Sequence, residues 1–303
     1  MNDLQRSLLA WYARSGRTHL PWRTSRNPYF TLVSEFMLQQ TQVDRVIGKF
    51  EAFVAAYPTI ESLAQARASD VVRLWQGLGY NSRATRLVDL ARIVFERFGG
   101  AIPRDRDVLR SLPGVGPYTA AAIRAFGFDE DDAAIDTNVR RITHRVIFGI
   151  EYPAKAPSKH IDEAALASVP RARAHDWNSA MMDLGSAICT ARAPLCLACP
   201  IRDACAAGPV DPVRLAALRK QYAKARVSKN AVPFERTKRF ARGRIVDRLR
   251  ELPPGERISL LDLHRVLEPQ LPWHSIDDIT GLVAVLERDG LLTRFGEAVA
   301  LKD

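Results

Sequence analysis

Two carboxylates stand out by their surroundings. Glu35 interrupts the apolar run Leu32, Val33, Phe36 and Met37, and Asp136 lies between Ile135 and the Thr137-Asn138-Val139 segment. A buried anion is costly unless it is paired or used, and two carboxyl groups in different environments can divide acid and anion roles. Cleavage at a sugar carbon needs that division, because one group protonates the leaving group while the other stabilises an oxocarbenium-like transition state. Plainer roles fit each residue alone. Asp136 would serve as a helix N-cap, and Glu35 as a solvent-facing helix residue.

Four cysteines follow the pattern Cys189-x6-Cys196-x2-Cys199-x5-Cys205. Thiolates gathered in one loop suit an iron–sulfur cube or a tetrahedral zinc, since both need four soft anionic ligands converging on one point. Only Cys196 and Cys199 form a close pair, whereas zinc sites usually use two, so the spacing tilts towards a [4Fe–4S] cluster. Gln39-Gln40-Thr41 follows Glu35, and glutamine has the reach and the paired donor and acceptor to replace an extruded base's partners. Trp22, Tyr29 and Tyr118, taken singly, read as core aromatics.

The elements that must hold these groups are helical throughout most of the chain. Apolar spacing predicts helices over Leu4–Tyr12, Tyr29–Gln42, Asp44–Tyr57, Ser62–Leu74, Arg83–Phe98, Asp107–Leu112, Val139–Phe148, Ser158–Ser168 and Trp177–Cys189. In the Ser62–Leu74 helix, Ser69 or Asp70 is expected near the start. Gly77-Leu78-Gly79-Tyr80-Asn81-Ser82 forms one glycine turn. Leu112-Pro113-Gly114-Val115-Gly116 forms another, a hairpin whose free N–H groups at the next helix start can hold a phosphate without reading sequence. Beyond the cysteines, Pro209–Ala231 is a basic stretch with Arg214, Arg219, Lys220, Lys224, Arg226 and Lys229, expected as a helix plus linker. Phe240–Leu252, Ser259–Leu267 and Ser275–Asp289 then read as three helices before a hairpin turning at Gly296, a winged-helix pattern.

Composition narrows the partner. The 303 residues carry a formal net charge of +10, with positive charge dominated by arginine, which suits nucleic acid better than a membrane surface. No uninterrupted apolar run approaches a membrane span, and Met1-Asn2-Asp3-Leu4-Gln5-Arg6 begins a helix, which together predict a cytoplasmic protein without a membrane partner. Cysteines confined to one loop disfavour a disulfide scaffold.

Several motifs together carry a family likeness. Leu20-Pro21-Trp22-Arg23, Ser34 to Val43, Gly77-Leu78-Gly79-Tyr80, Leu112 to Gly116, Asp136-Thr137-Asn138-Val139, Met181-Met182-Asp183-Leu184-Gly185 and the cysteine loop resemble the helix-hairpin-helix DNA glycosylases. Within them the likeness is greatest to MutY-type adenine glycosylases, and it runs in order from about Leu4 to Cys205. The resemblance implies an all-α, two-lobed glycosylase fold with an iron–sulfur cluster loop and a small winged-helix-like C-terminal segment. The implied domains are a catalytic domain over 1–208, with a helical barrel lobe at 20–136 and a cluster lobe from 1–19 and 137–208. A basic linker at 209–235 and a C-terminal domain at 236–303 follow.

By the same resemblance Glu35 is the general acid that protonates adenine, Asp136 stabilises the sugar cation and Asn138 supports it. Tyr118 stands where bifunctional relatives such as endonuclease III carry a Schiff-base lysine, which implies a monofunctional enzyme. Gln40 wedges into the duplex beside Gln39 and Thr41, Trp22 and Arg23 line the base pocket, and Gly114 and Gly116 hold a phosphate. Tyr80 and Asn81 are implied to bind DNA, Asn81 at the position of the family's second aromatic, which helps probe the base opposite the target. Cys189, Cys196, Cys199 and Cys205 match the family's [4Fe–4S] ligands.

Two departures set this sequence apart. Asn81 replaces the family's second aromatic, as in the endonuclease III pattern. After Cys205 the expectation is of a short segment instead of the nucleotide-hydrolase-like domain that senses 8-oxoguanine in many MutY proteins. The implied function is base excision repair in the bacterial nucleoid by a monomer acting on double-stranded DNA, with release of adenine opposite 8-oxoguanine or guanine. The alternatives are release of thymine or uracil opposite guanine and, in another class, a DNA-binding regulator with a redox-sensing cluster.

Overall fold

The computed structural model describes residues 1–152, 156–222 and 232–303. In chain order its helices are α1 (Asp3–Ser15), α2 (Pro28–Leu38), α3 (Val43–Ala56), α4 (Ile60–Ala64), α5 (Ala68–Leu74), α6 (Ser82–Phe98), α7 (Arg106–Arg110) and α8 (Pro117–Ala122). They continue as α9 (Thr137–Thr143), α10 (Ser158–Ala167), α11 (Ala174–Ala187), α12 (Pro212–Tyr222), α13 (Lys238–Glu251), α14 (Leu260–Leu267) and α15 (Ile276–Arg288). The helical fold class therefore holds. Lys224, Arg226 and Lys229 of the expected basic linker lie outside the described residues.

The chain divides into two compact units. One contains Met1–Glu35, Arg104–Ser111 and the chain from Val115 through α12. Its core is built by the apolar faces of α1, α9, α10 and α11, where Leu8, Leu9, Tyr12, Val139, Ile142, Ala165, Trp177, Ala180 and Leu184 are buried together. Burial at about 25 cal/mol per Å2 makes such a face the main source of helix stability, and local signals only set where each helix begins. At α1 that signal is a capping box, in which Asn2 and Gln5 satisfy each other's backbone N–H. At α9 it is Asp136 itself.

The other unit contains Phe36–Pro103, Leu112–Gly114 and the segment holding α13 to α15. Phe50, Phe53, Leu63, Trp75, Leu87 and Leu90 fill its helical core. Two expectations change here. The helix foreseen over Ser62–Leu74 is two short helices, because Arg92 takes the carbonyls of Ala64 and Ala66 at 3.4 and 3.0 Å and so occupies acceptors a continuous helix would use. Thr59 caps the first of them, while Ser69 is buried inside the second. The helix foreseen to Gln42 ends at Leu38.

In the C-terminal segment, β2 (Leu292–Phe295) and β3 (Ala298–Leu301) form the expected hairpin around Gly296. A strand too short to leave a pattern, β1 (Ile258–Ser259), pairs antiparallel with β3 on its other edge, so the sheet order places β3 in the centre. This segment lies against α5 and α6. Ser69 donates to Asp303 at 2.5 Å, Arg73 to the Leu252 carbonyl at 3.1 Å and Thr85 to the Asp289 carbonyl at 3.5 Å.

Candidate active site

Glu35 is in the last turn of α2 and only 8% exposed. Burial pushes its carboxyl up to about 7. The Tyr118 hydrogen bond and the Arg23 charge oppose that rise, and the Asp136 charge adds to it. Its partner Tyr118 enters from the first turn of α8, where Pro117 occupies the start of the helix and needs no N–H acceptor. Burial, reinforced by Glu35 and Asp136, holds the Tyr118 phenol well above its ordinary range, so Tyr118 stays a proton donor.

Asp136 both caps and faces the site. Its Oδ1 accepts from the Val139 N–H at 2.7 Å and so starts α9, while Oδ2 accepts from Asn138 Nδ2 at 3.0 Å. The plain capping role and a charged role thus occur in one side chain. Asn138 Oδ1 accepts in turn from Arg141 at 3.0 Å, and Arg141 also donates to the carbonyls of Gly185 at 2.8 Å and Cys189 at 2.9 Å. Gly185 must be small: a Cβ there would stand 2.7 Å from Asn138 Cβ. The chain of contacts runs from Asp136 to the first cysteine.

Trp22 is buried, and the Arg23 side chain is only 8% exposed. The Arg23 guanidinium donates to Asp183 at 2.9 Å, and Arg17 binds the other carboxylate oxygen through Nε at 2.8 Å. Burial alone would raise the Asp183 carboxyl, but Arg23 and Arg17 together hold it below its ordinary value. Asp183 therefore fixes the Leu20-Pro21-Trp22-Arg23 loop through the guanidinium of Arg23. The structure brings Glu35, Tyr118, Asp136, Asn138 and Arg23 into one electrostatic cluster.

The other expected DNA-contact residues belong to the second unit or to the hairpin. Gln40 and Tyr80 are both exposed and both left-handed, with φ of 57° and 45°, a conformation costing about 1–2 kcal/mol for residues with a side chain. One buried guanidinium holds the backbone on either side. Arg83 donates to the carbonyls of Phe36 (2.6 Å), Met37 (3.0 Å) and Gln39 (2.7 Å) through Nη1, and to Leu78 (3.0 Å) and Gly79 (2.9 Å) through Nη2. Nη2 also reaches Thr41 Oγ1 at 3.3 Å. Burial lowers Arg83 to about 10, which leaves it charged at neutral pH. By taking the last carbonyls of α2, Arg83 ends that helix before Gln39 and sets Gln40 and Thr41 in a turn.

Gly114 has φ of 79°, and a Cβ there would meet the Phe36 ring at 2.9 Å, so only glycine fits. Gly116 is the N-cap of α8, with extended backbone. Sequence reasoning missed Arg83, Arg141 and a role for Asp183. An arginine in the first turn of a helix, next to the glycine turn, was the only signal for the first, and a lone acid in the apolar face of α11 for the last.

The four cysteines line one cavity, whose wall also includes the apolar Ile142, Val146, Leu184, Ile188, Ile201 and Val210 and the side chains of Arg145 and Arg202. Among the described residues, no three His, Cys, Asp or Glu side chains close around a single ion-sized point. The sulfurs instead face a shared apolar space and receive N–H donors, while the Cys205 thiol itself donates to the Arg145 carbonyl at 3.5 Å. Arg145 Nη1 reaches Cys189 Sγ at 3.5 Å, and the Val210 N–H reaches Cys196 Sγ at 3.4 Å. Backbone N–H groups of Ile201 and Ala207 reach Cys199 and Cys205. Burial pushes the Cys199 thiol up to about 11, so a free thiolate there needs a cationic partner.

The chain belongs to the HhH-GPD superfamily of base excision DNA repair proteins, whose family model matches residues 33–166. An adenine DNA glycosylase of Mycolicibacterium smegmatis is 34% identical over 279 residues, covering 91% of this chain and 91% of the relative. That likeness sets the chain among MutY-type adenine DNA glycosylases, hydrolases of N-glycosyl bonds. An adenine DNA glycosylase of Rattus norvegicus is 42% identical over 225 residues, covering 71% of this chain but only 43% of the rat protein. Among solved structures, a thermostable thymine-DNA glycosylase aligns with a TM-score of 0.60 at 32% identity, covering 66% of this chain and 92% of that one. No helix among the described residues is long and apolar enough to cross a membrane.

Proposed function

We propose that this chain hydrolyses the bond between C1′ and N9 of an adenine turned out of duplex DNA, opposite 8-oxoguanine or guanine. The observation that carries the reading is Glu35, buried beside Tyr118 and Asp136 and poised to hold or release a proton near pH 7. Protonated Glu35 delivers that proton to the adenine ring, so the base leaves as a neutral molecule with the bonding electrons of the cleaved C1′–N9 bond. Asp136 stabilises the cationic sugar. Water then adds to C1′, gives up a proton and leaves an abasic site. Tyr118 offers no amine, so no Schiff base forms at that position.

Around this centre Trp22 and Arg23 hold the extruded base, and Gln39, Gln40 and Thr41 fill the gap it leaves. Tyr80 and Asn81 meet the opposite strand, while Gly114 and Gly116 hold a phosphate. Cys189, Cys196, Cys199 and Cys205 hold a [4Fe–4S] cluster, a reading supported by their shared apolar cavity and its N–H donors. The group supplies an ordered cross-link for the loop. The protein acts as a cytoplasmic monomer at the bacterial nucleoid, with residues 1–208 as its catalytic domain and 236–303 as an accessory one.

Single-turnover base release by Glu35→Gln and Asp136→Asn tests the mechanism, and rates close to wild type would falsify it. The likeness to a thymine-DNA glycosylase favours one second reading, removal of thymine or uracil opposite guanine. Release measured on A:8-oxoG, A:G, T:G and U:G duplexes separates the two.

A further inference from the structure

The C-terminal segment reaches the Gly77–Ser82 turn through one buried arginine. The Arg250 side chain of α13 is 6% exposed and spreads its donors over three acceptors. Nε donates to the Val72 carbonyl at 3.0 Å, Nη1 to Asp247 at 2.7 Å and Nη2 to Asn81 Oδ1 at 2.8 Å. A guanidinium only donates, so the Asn81 carboxamide must turn its oxygen to Arg250 and its NH2 to the other side. Asn81 opens α6 without using its side chain as a cap, so the carboxamide has no competing local task. The neighbouring Tyr80 ring is flanked by the guanidinium of Arg83 at 5.6 Å and that of Arg239, also from α13, at 4.3 Å. Helix α13 therefore holds two successive residues of the turn.

We propose that Arg250 is a positioning residue for recognition of the base opposite the extruded adenine: it fixes Asn81 so that an NH2 donor is offered to that base. A fixed donor favours guanine-type edges, which present O6 and a further acceptor, over cytosine, whose corresponding edge presents an amine. The C-terminal segment is then part of the specificity apparatus. This rests on the adenine-release reading, with the opposite strand on the Gly77–Ser82 turn.

The test is single-turnover adenine release from duplexes carrying 8-oxoguanine, guanine or cytosine opposite adenine, for wild type, Asn81→Asp, Asn81→Ala, Arg250→Met and the Asn81→Ala/Arg250→Met double variant. Asn81→Asp keeps an oxygen for Arg250 but offers no donor. It and Arg250→Met should each lower the guanine-to-cytosine rate ratio about tenfold. In the Asn81→Ala background, Arg250→Met should leave the ratio where Asn81→Ala set it, because Arg250 acts through Asn81. An unchanged ratio in Asn81→Asp overturns the proposal, even if Arg250→Met fails to fold. So does an undiminished effect of Arg250→Met without Asn81, or a loss of all three rates in parallel with thermal stability. Absence of adenine release by the wild type from every duplex overturns the underlying reading instead.

Discussion

Asn138 donates to Asp136 Oδ2 at 3.0 Å and is itself held by Arg141, so the carboxylate oxygen not used as a helix cap is fixed in place. Hydrogen bonds to charged groups contribute about 1.5–3 kcal/mol. Asn138→Ala should therefore slow single-turnover base release by roughly ten- to a hundredfold. Circular dichroism should stay native, because the Asp136 Oδ1 cap on Val139 survives.

The pH profile of the chemical step follows from Glu35. It must carry a proton to act as the acid, and burial holds it at about 7, so the single-turnover rate should fall as pH rises through about 7. Glu35→Gln should lose that inflection and run at least about a hundredfold slower. A profile that keeps its inflection in the variant assigns the titration to another group.

Stability should move with pH for the same reason. A carboxyl with a raised folded pKa binds more protons folded than unfolded between its ordinary value of 4.5 and about 7, so its contribution is present below 4.5 and lost as pH rises to 7. Glu35→Gln removes the buried charge. It should match wild type in urea unfolding near pH 4.5 and exceed it near pH 8, by up to about 3 kcal/mol.

Arg83 is the hub of the second unit's turns. Arg83→Met leaves the carbonyls of Phe36, Met37, Gln39, Leu78 and Gly79 without their donor and removes support from the left-handed residues Gln40 and Tyr80. Urea unfolding should show a loss of more than about 3 kcal/mol. A loss under about 1 kcal/mol would mean that water replaces the guanidinium at those carbonyls.

Much of the site was legible because its signals are local. Cysteine spacing marks one loop, Asp136 before Thr137 marks a helix start, and Pro and Gly mark the hairpin. What sequence did not reveal are the partnerships across long separations. Arg23 with Asp183, Arg83 with the end of α2, and Arg250 with Asn81 each join residues far apart in the chain, and nothing in the local sequence around either one names its partner. Strand Ile258–Ser259 escaped because two residues carry no alternation, and the break between α4 and α5 because its cause, Arg92, lies on another helix.

Asp136 serves two ends with one side chain. The same carboxylate begins α9 with one oxygen and faces Asn138 with the other, so substitution to alanine removes a helix start and a reacting charge together. Asparagine caps about as well as aspartate and forfeits only the charge. Drift at this position is thus screened twice, by folding and by chemistry, and of its two penalties only asparagine lets an experimenter measure one without the other.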